Sequence, residues 1–230
     1  ERKLGPVIDF CVPVNPYFPT ASMLESYSRN LEEILTYYPE DGDSLNEILG
    51  EQLDIPPENL VLGNGSTELI TAIDHLFITE SLITSVPTFG RWTDQSAETG
   101  KRVVHFLRQE DEGYQLNIPR LRAVIEREKV RCLAISNPNN PTGSISTPEE
   151  LAQLLDLDLD LIIIDESFIE FATLDRRFSS LDLALNNPNV LVLRSLGKSL
   201  GVHGVRLGYA VGGKEIISKI RASKKKIDEL

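Results

Sequence analysis

The chain has 230 residues, of which 41% are hydrophobic and 25% charged, so it can bury an ordinary core as one large domain or two small ones. Its net charge of -12 argues against a nucleic-acid partner, whose phosphates would repel it. Two cysteines and three scattered histidines predict neither a disulfide framework nor a metal site. No apolar run could span a membrane and no secretory signal is visible, so we expect a cytoplasmic protein.

Taken in chain order, the sequence changes from a proline-rich start to alternating helices and strands. Residues 1–40 predict an extended arm with a short helix near residues 23–35. Capping boxes predict helix starts at Ser44 and Thr147, and apolar periodicity marks another helix around residues 121–125. Short apolar runs predict strands at residues 60–62, 82–86, 103–107, 132–135, 161–164, 190–193 and 207–211. This alternation predicts an α/β fold with a mainly parallel seven-stranded sheet and helices on both faces.

Lys198 follows the apolar run at residues 190–193, at the edge where ligands of parallel sheets bind. Ser195 supplies a hydroxyl three residues before it, and Arg206 a guanidinium eight residues after it. A lysine there can hold a carbonyl cofactor as a Schiff base, and its two neighbours can hold a phosphate. Most lysines are merely solvated charges, so the interpretation as a pyridoxal 5′-phosphate (PLP) anchor depends on partners elsewhere in the chain.

Two polar residues at other strand ends are candidate partners. Asp165 ends the run at residues 161–164, where a carboxylate can pair with a protonated pyridine nitrogen and so favour electron withdrawal. Asn140 lies in the turn Ser-Asn-Pro-Asn-Asn-Pro-Thr-Gly at residues 136–143, and its amide can hydrogen-bond a phenolate oxygen. Taken singly, Asp165 is also compatible with a helix or turn cap, and Asn140 with an ordinary polar turn.

A glycine-containing turn after the run at residues 60–62 opens a further helix. Gly65 lets the backbone approach an anion, and Ser66 and Thr67 add hydroxyls to the free N–H groups of the helix start. The same residues are also typical of an ordinary turn and helix N-cap that bind no ligand. Phe89 is a candidate to stack on the pyridine ring, although phenylalanine usually packs in the core. For Tyr38, half-buried packing is the default interpretation.

In their order and spacing, these motifs resemble the fold-type I PLP enzymes, in particular the class I/II aminotransferases, over residues 8–213. The resemblance implies that Lys198 forms the Schiff base, Asp165 pairs with the ring nitrogen, and Asn140 binds the ring hydroxyl. It implies that Phe89 stacks on the ring and that Tyr38 reaches the phosphate of the neighbouring subunit in a homodimer. The implied phosphate ligands are Ser66, Thr67, Ser195 and Arg206.

Two subfamilies look closest, histidinol-phosphate aminotransferase and the threonine-phosphate decarboxylase of cobalamin synthesis. Phe168 stands where aminotransferases usually carry tyrosine, and Gly197 where they commonly carry serine. We expect an aminotransferase acting on a small amino acid or phosphorylated amine, with the decarboxylase as the alternative.

The resemblance also implies a domain organisation. We expect an arm at residues 1–40, a PLP-binding large domain at 41–213, and the start of a connecting helix at 214–230. The small C-terminal domain, which carries a carboxylate-binding arginine in the family, is expected to be absent.

Other classes fit less well. Gly197-Lys198-Ser199 matches the end of a nucleotide-binding P-loop, but Val192 stands where its first glycine belongs. A dinucleotide site fails because Glu68 replaces the third glycine. A non-catalytic protein of the PLP fold stays an alternative, although the presence of both Lys198 and Asp165 favours an enzyme.

Overall fold

The computed structural model describes residues 13–37, 42–172 and 178–228. Within them, a seven-stranded sheet has the order β1-β7-β6-β5-β4-β2-β3. Strand β7 runs antiparallel to β1 and β6, and the other pairings are parallel. This confirms the predicted mainly parallel sheet. The strands are β1 Leu60–Asn64, β2 Ser81–Val86, β3 Arg102–Leu107, β4 Cys132–Ser136, β5 Leu161–Asp165, β6 Val190–Ser195 and β7 Leu207–Gly212.

Helices connect the strands and cover both faces of the sheet. The helices are α1 Ala21–Arg29, α2 Leu31–Thr36, α3 Gly42–Leu53, α4 Gly65–Phe77, α5 Arg91–Glu98, α6 Ile118–Glu128, α7 Pro148–Ala152, α8 Ile169–Ala172, α9 Leu181–Asn186, α10 Leu196–Ser199 and α11 Lys214–Asp228. Single 3₁₀ turns occur at Pro57–Asn59, Gln153–Asp156 and His203–Val205. Within the described ranges, no helix is both long and apolar enough to cross a membrane.

Side-chain alternation along the strands divides the core between two faces. In β5, Leu161 and Ile163 pack with α4, α5 and α11, and we call this side the α4 face. Ile162 and Ile164 pack with α6, α7 and α9 on the opposite side, the α6 face. Successive strand residues point to opposite faces, so a strand covered on both sides is expected to be largely apolar. In β5 and β6 the polar side chains accordingly lie at the carboxyl ends, where Asp165 and Ser195 were predicted, whereas β2 also buries Thr84 within the strand.

Local sequence signals have mixed outcomes. Thr147 caps α7 with the complete capping box, as predicted. The Ser44 prediction is wrong, because α3 already begins at Gly42 and Ser44 lies inside it. The single helix expected near residues 23–35 is broken at Asn30, whose backbone leaves the helical region at φ −101°, ψ 8°.

Helix α11 packs against the sheet on the α4 face. Ile217 and Ile220 are completely buried there, among residues of α4 and the adjacent strands. Arg221 donates to the carbonyl oxygen of Leu60 at 2.7 Å, which ties the same helix to the start of β1. Helix α11 thus contributes Ile217 and Ile220 to the packed core of the described chain.

A buried carboxylate joins α4 to the end of α5. Asp74 accepts hydrogen bonds from Ser96 at 2.5 Å, Thr99 at 2.8 Å and Lys101 at 2.7 Å. Burial alone would raise the pKa of Asp74, but these three donors outweigh it and hold that pKa below its ordinary value. The carboxylate form is therefore bound more favourably in the folded protein than in the unfolded chain.

Replacing Asp74 by asparagine is expected to lower the free energy of unfolding by about 3 kcal/mol at pH 7, because Lys101 loses its buried counter-charge. A lowered carboxyl pKa stabilises the fold above the unfolded pKa, and this contribution is lost as pH falls through the folded pKa. The difference between the two proteins should therefore close below about pH 4. Urea unfolding across pH measures it, with exposed Asp111→Asn as the control. Equal stabilities at pH 7 would contradict the role of Asp74.

Candidate functional site

A cavity of about 130 Å³ lies where the ends of β1 and β6 meet the following helices. It brings together most of the predicted site residues. The lining consists of Gly65, Ser66, Thr67, Phe89, Ser195, Gly197, Lys198, His203, Arg206 and Leu207. The first three begin α4, and Ser195 ends β6 directly before α10, which carries Lys198. Residues that are 130 positions apart in the chain thus share one wall, because β1 and β6 flank the same strand, β7.

The amine of Lys198 lies between two aromatic rings. Its Nζ atom is 3.8 Å from the ring centroid of Phe168 and 5.7 Å from that of Phe89. Burial against these rings lowers the pKa of Lys198, and attraction to Asp165 and Glu170 only partly offsets this effect. A larger fraction of Lys198 is therefore the unprotonated, nucleophilic amine at neutral pH than for a surface lysine.

The backbone at the start of α4 is held close to Arg206 and to β7. Gly65 has φ +72°, and a Cβ built on it would lie 2.6 Å from Nη2 of Arg206. A Cβ on Gly208 would lie 2.5 Å from the backbone nitrogen of Ser66. Glycine is therefore favoured at Gly65 by the left-handed conformation, and it is required at Gly208 because backbone atoms leave no room for a Cβ. The result is a helix N-terminus, three hydroxyls and a guanidinium around one cavity, which is a donor set suited to a phosphate.

Asp165 ends β5 and is held by two neutral donors. Its side chain points to the α4 face, as the alternation from Leu161 and Ile163 requires, and it is only 4% exposed. The indole Nε1 of Trp92 donates to Oδ2 at 2.9 Å, and the backbone N–H of Ser167 donates to Oδ1 at 3.0 Å. Burial of a carboxylate is tolerable with such partners.

Two described candidates, Asp165 and Asn140, do not line the Lys198 cavity. Asn140 lines a second cavity of about 300 Å³, whose walls include Pro13, Asn139 and Phe168. The Phe168 ring also contacts the amine of Lys198. Tyr38 lies outside the described residues.

The opposite face of the same strand ends carries a buried ion pair. Arg194 donates to Oε2 of Glu166 through Nε at 3.0 Å and Nη2 at 2.7 Å. Burial raises the pKa of Glu166, and the attraction of Arg194 opposes that rise. The pair joins the end of β5 to the end of β6, and thereby fixes the spacing between Asp165 and Ser195 on the other face.

The arm contacts the lysine segment directly. The backbone N–H of Asn15 donates to the carbonyl oxygen of Lys198 at 3.0 Å, and its side-chain amide donates to that of Ser199 at 2.9 Å. A Cβ on Gly201 could not fit beside the carbonyl group of Phe18. The first described residues of the chain therefore cover the loop that presents the amine.

Sequence reasoning missed three residues of this site: Trp92, Asn15 and His203. Trp92 and Asn15 act through contacts spanning 73 and 184 residues, which no local pattern reveals. His203 was visible in the Lys198 segment but gave no signal beyond its proximity to Arg206. In the structure its Nε2 atom is buried and, among the described residues, has no hydrogen-bond partner.

Comparison with known proteins agrees with this geometry. The sequence model of the family "Aminotransferase class I and II" matches residues 10–227. An L-serine phosphate decarboxylase of Sulfurospirillum multivorans is 34% identical over 215 residues, covering 89% of this chain and 54% of the relative. The chloroplastic histidinol-phosphate aminotransferase of Nicotiana tabacum is 30% identical over 218 residues, covering 94% and 51%. The chain thus spans about half the length of these curated relatives.

A solved structure shows the same fold. The histidinol-phosphate aminotransferase of Sinorhizobium meliloti, in complex with pyridoxal 5′-phosphate, superposes with a TM-score of 0.80 at 23% identity. The match covers 93% of this chain and 57% of that one. With a family match over nearly the whole chain, the sheet order and the clustered site residues have one explanation: the chain belongs to the class I and II aminotransferase family, whose members use pyridoxal phosphate.

Proposed function

We propose that this chain forms the cofactor-binding part of a PLP-dependent enzyme that acts at the Cα of a small amino acid or phosphorylated amine. The observation that carries the proposal is the shared cavity. Lys198, with its lowered pKa, lines it together with the hydroxyls of Ser66, Thr67 and Ser195 and the guanidinium of Arg206. The amine matches the carbonyl group of pyridoxal phosphate, and the donor set beside it matches the phosphate of the same molecule.

The residues present fit that cofactor. The backbone of Ser66 leaves no room for a Cβ on Gly208, so the start of α4 lies directly against β7. Asp165 is available to the ring nitrogen, since each carboxylate oxygen accepts one hydrogen bond and keeps further acceptor capacity. Phe89 supplies an apolar ring to the Lys198 cavity. Asn140 lines the second cavity, so its assignment to the ring hydroxyl rests on the resemblance alone.

Pyridoxal phosphate, when bound, supplies an electron sink for charge that develops at the substrate Cα. Asp165 supports it by keeping a proton on the ring nitrogen, because a nearby anion stabilises the protonated form. Lys198 would have two roles: its amine would hold the cofactor, and the free amine would carry a proton to or from the substrate Cα.

Transamination is the reaction expected from the resemblance, and the similarity to a histidinol-phosphate aminotransferase supports it. Two observations favour decarboxylation as a second candidate. The relative at 34% identity is an L-serine phosphate decarboxylase. Phe168, at 3.8 Å from the amine, also brings an apolar ring to the place where aminotransferases usually have a tyrosine hydroxyl.

The 230-residue chain incubated with pyridoxal phosphate and then with borohydride is expected to retain the cofactor on Lys198, located by peptide mass spectrometry. The lowered pKa of Lys198 makes it the preferred nucleophile. Lys198→Arg should abolish this labelling, and Lys219→Ala, a solvent-exposed lysine, should not change it. Labelling of another lysine instead would refute the assignment.

The two reactions are separated by their products. An aminotransferase is expected to convert an amino donor and 2-oxoglutarate into a keto acid and glutamate. A decarboxylase is expected to release carbon dioxide from serine phosphate or threonine phosphate without any keto acid, because a different Cα bond breaks. Both assays need Lys198→Arg as the blank. Carbon dioxide release without a keto acid would eliminate transamination, and the absence of both products with the cofactor attached would refute activity of this chain alone.

A homodimer is the assembly that we propose, and dimers are typical of the family. Helices α1 and α2 have no buried residue, although they carry apolar side chains. Leu24, Ile34 and Leu35 are 54%, 57% and 75% exposed, an arrangement that marks a contact surface rather than a solvated one. The end of α2 at Thr36 lies two residues before Tyr38, which the resemblance assigns to the partner's phosphate.

Ile34→Lys is therefore expected to convert a dimer into a monomer in size-exclusion chromatography with light scattering, because burying a lysine in an apolar interface is costly. Leu107→Lys is the matched control, since Leu107 is similarly exposed at 61% but lies on the edge strand β3. A wild-type monomer, or a variant that remains dimeric, would exclude α2 as the interface.

A further inference from the structure

Trp92 is the only tryptophan of the chain, and its indole is hydrogen-bonded to Asp165, the proposed partner of the cofactor's ring nitrogen. It is 1% exposed and Asp165 is 4% exposed, so both groups of the 2.9 Å hydrogen bond are removed from water. Neither residue lines the Lys198 cavity, and the indole contacts the site through Asp165.

The local fold fixes this contact. Trp92 lies in the first turn of α5, on the α4 face, toward which Asp165 also points. Its backbone N–H donates to the carbonyl oxygen of Phe89 at 3.0 Å. The same turn therefore positions the ring of Phe89 in the cavity and the indole N–H of Trp92 against the carboxylate of Asp165. A displacement of this turn would move both groups together.

The chemistry of the donor is as relevant as its position. An indole N–H can donate a hydrogen bond but cannot accept a proton or carry a charge. Together with the backbone N–H of Ser167, it orients the Asp165 carboxylate without placing a positive charge beside it. A lysine or arginine in its place would compensate the negative charge that the ring nitrogen needs. Among the described residues, no ion pair within 4 Å is formed by Asp165.

We propose that Trp92 is a positioning residue, which holds the Asp165 carboxylate oriented toward the ring nitrogen of the cofactor through one neutral hydrogen bond. This inference rests on the proposed function and deepens it. The competing explanation is that the indole only fills the core of the α4 face. The two differ in whether the effect of Trp92 on the cofactor requires Asp165.

A double-mutant cycle on cofactor affinity separates them. Trp92→Phe keeps an aromatic ring and removes the donor, so the dissociation constant for pyridoxal phosphate should rise roughly tenfold, as for a lost hydrogen bond to a charged group. In an Asp165→Ala background the same substitution should change it by less than about twofold. An equal fold-change in both backgrounds would overturn the proposal, because a purely structural effect does not depend on the carboxylate.

A second measurement keeps the indole and needs no cofactor. Since Trp92 is the sole tryptophan, the tryptophan fluorescence of the cofactor-free chain reports on the surroundings of this one indole. Asp165→Ala is expected to shift the emission maximum, and Asp111→Asn, at an exposed position, to leave it unchanged. An unshifted Asp165→Ala spectrum would overturn the proposal even if Trp92→Phe failed to fold.

Failure of the wider function gives a different result. If the wild-type chain did not bind pyridoxal phosphate at all, the proposed function would be refuted and the role of Trp92 with it. If wild type bound the cofactor on Lys198 and the cycle were additive, only the role of Trp92 would be lost.

Discussion

Burial of the sheet on both faces is the constraint from which the site arises. The residues of β5 and β6 before their ends are apolar and buried, because helices cover each face and an unpaired polar group inside would be costly. In these two strands the polar residues therefore lie at the ends. Asp165 ends β5, and Ser195 with Lys198 follows β6, at the edge of the sheet where a ligand can enter.

The same alternation separates two sets of polar residues that are adjacent in sequence. Asp165 and Ser195 point to the α4 face, where their partners are the indole of Trp92 and the Lys198 cavity. Their neighbours Glu166 and Arg194 point to the α6 face and bind each other. A single-residue register slip would exchange the two sets. Arg194 would then point toward the cavity, and the carboxylate of Asp165 would point into the core of the α6 face. The buried ion pair thus specifies the register on which the site depends.

The sheet and most of the cavity could be predicted from the sequence. Strand runs, turns and the spacing around Lys198 are local or motif-level signals, and the structure brings seven of the predicted residues into one cavity: Gly65, Ser66, Thr67, Phe89, Ser195, Lys198 and Arg206. What could not be predicted depends on non-local packing. No pattern connects Trp92 with Asp165, and the position of Asn140 in a second cavity depends on how its turn packs. A capping sequence marks a helix start only where the preceding residues are not helical. Ser44 follows two helical residues, because α3 begins at Gly42.

Asn15 is synthesised long before the residues that it contacts, because the carbonyl groups of Lys198 and Ser199 lie about 180 positions later. The pairing of β1 with β7, in which Leu60 lies opposite Val211, also joins distant parts of the chain, so both contacts require a long loop to close. Enclosure of the reactive amine therefore needs an early and a late segment of the chain to meet, as completion of the sheet does.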